Sequence, residues 1–304
     1  MINKQAWAIT EAFSTTPLGL LLQEAGLESA ETVLESRQHS YAARVLALPQ
    51  GHPTHKILPI SLQEGDRRAQ PGEQPLGDRE WATMRRQQLP GQHLAQVLAG
   101  SLNIDPSGGF EQTVEAHPSS FPGKVVVLES KDALQQAQKS RPGLVLWSDG
   151  SRLENGQVGA GVAWKPTFSQ WETQELPLGK GIEVYDAELH GACAALEIAK
   201  SLGNNVRVTV FLDSQAAIKR LQHTLPGPGQ ALALRAHRAA RQLQERQIRV
   251  TICWVPGHAG VEGNERADRA AKRAAARLPQ EEVEISLAHV RRAGTEQQQK
   301  HSRQ

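Results

Sequence analysis

The stretch that most constrains this chain runs from Trp254 to Lys272, WVPGHAGVEGNERADRAAK. Upstream of it, Val250-Thr251-Ile252-Cys253-Trp254-Val255 reads as a strand that ends at the turn signal Pro256-Gly257. A short polar loop with His258, Gly260 and Gly263 follows. Asn264 then opens an alanine-rich run (Ala267, Ala270, Ala271, Ala274, Ala275, Ala276) that reads as a helix. His258 therefore sits on a glycine-rich loop, ten residues before Asp268 near the start of that helix. A mobile titratable group close to a fixed carboxylate suits proton shuttling at a site that binds a cation.

Three further carboxylates lie upstream at element boundaries. Leu144-Val145-Leu146-Trp147 reads as a strand ending at Ser148-Asp149-Gly150-Ser151, although a D-G-S run alone is usually only a turn. Val158–Trp164 and Gln170–Leu178 read as two more strands of an antiparallel meander. Asp186 to Leu202 reads as a helix with Asp186 as its N-cap. Glu188 lies in its first turn, on the small face shared with Ala192, Ala195 and Ala199, which can pack closely on a sheet. A glutamate there also suits the helix dipole. Val206–Leu212 reads as a buried strand followed by Asp213-Ser214. Asp213 reads as a ligand-facing carboxylate at a strand's carboxyl end, as the N-cap of a helix over 214–222, or as both at once. Gly229 to Gln247 reads as a long helix with Leu232, Leu234, Ala239, Ala240 and Leu243 inside, and Arg235, His237, Arg238, Arg241 and Arg246 outside.

The stretch from Trp254 resembles the C-terminal catalytic segment of type 1 ribonuclease H domains, with the pattern W-x-P-G-H-x-G-x-x-G-N-E-x-A-D in register. The D-G-S turn followed by G-A-G-V-A-W matches the opening of that fold, and Y-D-A-E-L-H-G-A places Glu188. The resemblance covers 141–278 and implies an α/β fold: a five-stranded mixed sheet, order 3-2-1-4-5, flanked by helices. It implies endonucleolytic hydrolysis of the RNA strand of RNA–DNA hybrids, leaving 3′-hydroxyl and 5′-phosphate ends. The implied metal ligands are Asp149, Glu188, Asp213 and Asp268, holding two Mg²⁺ ions (or Mn²⁺). Asp149 would bridge the ions, with Glu188 and Asp213 on one and Asp268 on the other, while His258 assists proton transfer or product release. Four clustered carboxylates would otherwise repel and take up protons, and hard oxygen ligands select Mg²⁺ or Mn²⁺ over zinc. Asn264 and the backbone near Gly150-Ser151 would touch the nucleic acid, and Arg235 and Arg238 offer a phosphate track. Glu183-Val184-Tyr185 departs from cellular members, which often place Asn or Thr just before the catalytic Glu to hold the hybrid's backbone. The extra basic helical protrusion of some members is also absent.

Elsewhere the chain is less informative. A net charge of +2 does not announce a nucleic-acid binder, but Arg141 to Arg277 holds 18 Lys and Arg against 13 Asp and Glu. Cys193 and Cys253 sit among apolar residues and read as core thiols of a reducing compartment. No signal peptide or membrane-length apolar run is present, so an intracellular protein is expected, nuclear or cytoplasmic. Residues 1–48 read as helical, 49–140 as a connector with a helix at 78–102, and 279–304 as a largely disordered tail with a short strand or helix around Val283 to Val290. The histidines His39, His52, His55 and His93 show no ligand spacing and read as exposed loop residues. The runs TTPLGLLLQEAGL and RQHSYAARVLALPQGHP resemble the segment after the reverse transcriptase of fungal non-LTR retrotransposon polyproteins. That likeness implies other polyprotein parts as partners. The rival readings are a nuclease or transposase of the same fold acting on DNA, and a non-catalytic remnant that binds hybrids or a partner.

Overall fold

The computed structural model describes residues 110–114, 116–166, 170–202, 207–280 and 283–301, together with Ile104 and several positions between Val33 and Leu48. Most of the helical region expected at 1–48, the helix expected at 78–102, and His39, His52, His55 and His93 lie outside the described residues. The chain divides into two units, Gly108–His289 and a second made of Met1–Ser107 with Val290–Gln304. The sheet lies wholly in the first.

Its elements are β1 (Lys124–Val126), α1 (Ser130–Gln138), β2 (Leu144–Arg152), β3 (Val158–Trp164), β4 (Glu172–Gly179), α2 (Val184–Ser201), β5 (Arg207–Leu212), α3 (Gln215–Leu221), α4 (Gln230–Glu245), β6 (Arg249–Trp254) and α5 (Glu262–Ala275). A last helix, α6 (Leu287–His301), begins in this unit. The strand order is β1-β6-β5-β2-β3-β4. β2, β3 and β4 form the antiparallel meander, and β2, β5, β6 and β1 run parallel. The five expected strands take the expected order, but a sixth, β1, pairs with the outer edge of β6. With α1 it lies inside what reads as connector. Three residues are too few for alternation to register, and only pairing with β6 makes Val125 and Val126 a strand.

Side chains alternate across the sheet as a period of two requires. Leu144, Leu146, Val208, Val210, Leu212, Val250 and Ile252 join the core beneath α2, α3 and α4, together with Leu189, Leu196, Ile218 and Leu243. Each such side chain that is fully buried contributes about 1.5–3 kcal/mol. The opposite face carries Trp147, Phe211, Cys253 and Val255, with Ala137 of α1 and Val261. Cys193 and Cys253 are both buried free thiols, as expected.

α5 covers the meander at close range because both surfaces are small. Ala267, Ala270, Ala271, Ala274 and Ala275 are buried, and a Cβ on Gly161 of β3 would lie 2.4 Å from the carbonyl oxygen of Ala267. Larger residues on either side would lift the helix, and Asp268 with it, off the sheet edge.

Several boundaries differ from expectation for physical reasons. Asp186 is not the N-cap of α2: Glu183 is, and Asp186 is the third helical residue of a reciprocal capping box. Ser214, not Asp213, caps α3, accepting from the Ala217 N–H at 3.2 Å. His237 is buried, not outward: its Nε2 lies 2.7 Å from the Leu221 carbonyl oxygen and its ring stands edge-on to Phe121. Within the segment expected to be largely disordered, Leu287–His301 forms α6, which starts where Ser286 Oγ accepts from the His289 N–H at 3.0 Å.

Candidate active site

The candidate ligands meet where the sheet changes from parallel to antiparallel. β2 continues past Asp149 to Arg152 against β3, so Asp149 is not at a strand end as expected. Its pairing with β5 stops at Ser148–Leu212, which leaves Asp149 as the first β2 residue with no β5 partner. Asp213 is the first residue after β5. The two carboxylates therefore share the notch at the carboxyl end of the parallel strands, the usual ligand position in open α/β sheets. Glu188 reaches the same notch from α2 because Gly150 lets the helix approach: a Cβ there would lie 2.9 Å from the Glu188 nitrogen. Asp268 comes from α5, on the other face of the sheet.

Carboxylate oxygens of Asp149, Glu188 and Asp213 lie within 4.8 Å of one another, and so do ligand atoms of His258, Glu265 and Asp268. Asp149 is 6% exposed and Glu188 4%. Such crowding disfavours full ionisation. Burial and then the Asp213 charge push the Asp149 carboxyl up to about 7. Burial and the Asp149 charge hold Glu188 well above the usual carboxylate range. Burial also raises Asp213, opposed by the Asn264 amide, whose Nδ2 lies 3.5 Å from Asp213 Oδ2. Trp254 Nε1 donates to the Asp213 carbonyl oxygen at 2.8 Å and fixes the backbone there. Glu188 Oε2 is buried with no protein hydrogen-bond partner. Proton-hungry carboxylates with an orphaned buried oxygen fit a divalent cation with oxygen ligands.

His258 sits exposed at the tip of its loop in the left-handed region, φ 52°. One of its ring nitrogens lies within 4.8 Å of carboxylate oxygens of Glu265 and Asp268. Lys272, one turn beyond Asp268, donates to Asp268 Oδ2 at 2.8 Å. Glu265 and Lys272 were not singled out by sequence reasoning, yet both were accessible: at three residues before and four after Asp268 on a helix they must share its face.

The substrate-facing candidates fare unevenly. The Gly150 N–H is taken by Asp149 Oδ1 at 2.7 Å. Ser151 is half-buried beside the notch. Asn264 is buried against Asp213, its Oδ1 without a partner. Arg235 is not brought to the carboxylates: its guanidinium forms a two-pronged pair with Glu197 at 2.7 and 2.6 Å. Glu197 lies nine residues beyond Glu188 on α2, about 13 Å along the axis. Arg238 is exposed on α4. At the departure before α2, the Glu183 carboxylate is engaged by Arg152 Nη1 at 3.1 Å and His289 Nδ1 at 2.6 Å.

The ribonuclease H family profile matches residues 141–276. Ribonuclease H1 of Rattus norvegicus is 28% identical over 230 residues, 65% of this chain and 76% of that protein. Among solved structures, RNase H1 of Halobacterium salinarum NRC-1 is 24% identical over 43% of this chain and 96% of its own, with a TM-score of 0.34. LC11-RNase H1, solved in complex with an RNA/DNA hybrid, is 20% identical over 43% of this chain and 98% of its own, with a TM-score of 0.35. Residues 141–276 are thus a ribonuclease H domain with the ribonuclease H-like α/β fold. The enzyme class defined by the family match and the curated relatives is ribonuclease H.

Proposed function

We propose that this domain hydrolyses the RNA strand of RNA–DNA hybrids endonucleolytically with two divalent metal ions, Mg²⁺ or Mn²⁺. The observation that carries the reading is the convergence of Asp149, Glu188 and Asp213 within 4.8 Å in a buried notch, with Asp268 held beside it from a separate helix. Asp149, Glu188 and Asp213 would hold one cation, and Asp268 with Asp149 a second. Two such ions supply an activated water and charge neutralisation at the departing oxygen. His258, on its exposed loop, would carry the proton to or from that oxygen through a ring nitrogen. The Ser151 hydroxyl and the buried Asn264 amide would meet the hybrid's backbone beside the notch, and contacts to successive 2′-hydroxyls would select RNA. We further place the domain in a retroelement-derived polyprotein inside the cell, supported by the runs TTPLGLLLQEAGL and RQHSYAARVLALPQGHP that precede it.

The test is cleavage of a hybrid labelled separately on each strand, in Mg²⁺, by the intact chain and by Asp213→Asn. The expected result is cutting of the RNA strand alone, leaving 3′-hydroxyl ends, lost in the variant. Hybrid binding without cutting would make the domain a non-catalytic binder, and cutting of duplex DNA would keep the fold and replace the substrate.

A further inference from the structure

Glu183 stands at the meeting point of three elements. As the N-cap of α2 it takes part in the capping box with Asp186, whose Oδ2 in turn accepts from the Glu183 N–H at 3.1 Å. One carboxylate oxygen pairs with Arg152 at 3.1 Å, three residues beyond Asp149 on β2. The other pairs with His289 at 2.6 Å, on the first turn of α6. The Glu183 side chain is 13% exposed and its partners Arg152 and His289 are 28% and 19% exposed, so salt screens these partly buried contacts less than it would fully exposed ones. Through them Glu183 ties the strand that bears Asp149 to the helix that bears Glu188, five residues further along.

His289 lies outside the 141–276 region of the family match, and it is held in turn by further flanking residues. The Ser286 N–H donates to the Gly181 carbonyl oxygen at 2.9 Å, in the turn that leads into α2. Glu111 donates its N–H to the Ile285 carbonyl oxygen at 2.9 Å. Its buried carboxylate accepts from the Leu287 N–H at 3.0 Å and from the N–H of Gly229, the N-cap of α4, at 2.6 Å. Two flanks, 110–111 and 285–289, are therefore stitched to each other and to the N-terminal ends of α2 and α4.

We propose that Glu183 is a positioning residue for the metal site: anchored by Arg152 and by His289 of the C-terminal flank, it sets the placement of Glu188 relative to Asp149, so the flank is part of the catalytic unit. This rests on the two-ion reading above. Groups that orient metal ligands without touching the ion are worth roughly 10- to 100-fold in affinity or activity. A salt-bridged cap that served only the fold would change stability alone.

The experiment measures Mn²⁺ binding by calorimetry and steady-state hybrid cleavage on the full chain and on Glu183→Ala, Glu183→Gln and His289→Ala. Glu183→Ala is expected to lose about tenfold in both Mn²⁺ affinity and kcat, with KM for the hybrid unchanged, and Glu183→Gln, which still caps the helix, to recover much of it. His289→Ala leaves the capping box whole and is expected to lose a few-fold in the same two quantities, so it decides the matter even if Glu183→Ala does not fold. Folded variants with lowered melting temperature but unaltered Mn²⁺ affinity and kcat would overturn the proposal. So would a rise in KM alone, which would make Glu183 a neighbour of the substrate. Wild-type chain that neither binds Mn²⁺ nor cuts would remove the two-ion reading and this inference with it. Wild type that does both, beside unaffected variants, would remove the inference alone.

Discussion

Replacing Asp149 by asparagine should stabilise the metal-free protein while destroying its activity. The Asp149 carboxyl is raised from 3.8 to about 7, first by burial and then by the Asp213 charge. An acid whose folded value lies above its unfolded one keeps its proton in the fold while the unfolded chain loses it. Its contribution is therefore fully present below pH 3.8 and is lost as pH rises through about 7. Above that pH the ionised group costs the fold up to about 4 kcal/mol, part of it shared with Glu188, which burial and the Asp149 charge also raise. Asparagine is nearly isosteric with the protonated acid and carries no charge to repel Asp213. At pH 8 in EDTA the variant should gain about 2 kcal/mol, or roughly 4–8 °C in melting temperature. At pH 3.5 the two proteins should melt together, since wild-type Asp149 is then neutral in the fold. Adding Mg²⁺ should stabilise wild type by mass action and leave the variant nearly unmoved. Scanning calorimetry at the two pH values, with EDTA and with Mg²⁺, reads all of this. A variant less stable than wild type at pH 8 in EDTA would refute the repulsion argument.

Three other outcomes follow from single contacts. Gly161→Ala would drive a methyl into the Ala267 carbonyl oxygen and should cost about 1–3 kcal/mol in urea unfolding, with loss of activity as Asp268 shifts. Glu111→Ala would leave the N–H groups of Gly229 and Leu287 buried without an acceptor, a loss of about 2–4 kcal/mol in the same assay. His258→Ala should lower kcat roughly 10²-fold, with Mn²⁺ affinity measured by calorimetry nearly unchanged, since it acts on the proton rather than on the ion.

Much of this site was readable in the sequence because its parts are locally encoded. Asp149 and Asp213 lie within or just after apolar strand runs, and Glu188 and Asp268 sit on helices with a strong alanine signal. What stayed hidden depends on residues far apart in the chain. Glu183 is an uncommon N-cap, and its role becomes visible only when Arg152 and His289 are seen around it. Arg235 looked free on a basic face until Glu197, on another helix, was placed against it. His237 reads as polar and outward by helical spacing, yet Phe121 and the Leu221 carbonyl make a buried niche for it. The polar composition of 279–304 suggests disorder, but Ser286 caps a helix there and Gly181 and Glu111 hold its start.

The most direct test of the two-ion site is a crystal of the inactive Asp213→Asn chain with an RNA–DNA hybrid and Mn²⁺, read by anomalous scattering at the manganese edge. The proposed site predicts manganese beside Asp149, with a second ion toward Asp268 about 4 Å away, and the RNA strand, not the DNA strand, over the notch. Hybrid bound elsewhere, or manganese absent from the Asp149–Glu188 notch in a crystal of the wild-type chain soaked in the same metal, would contradict it.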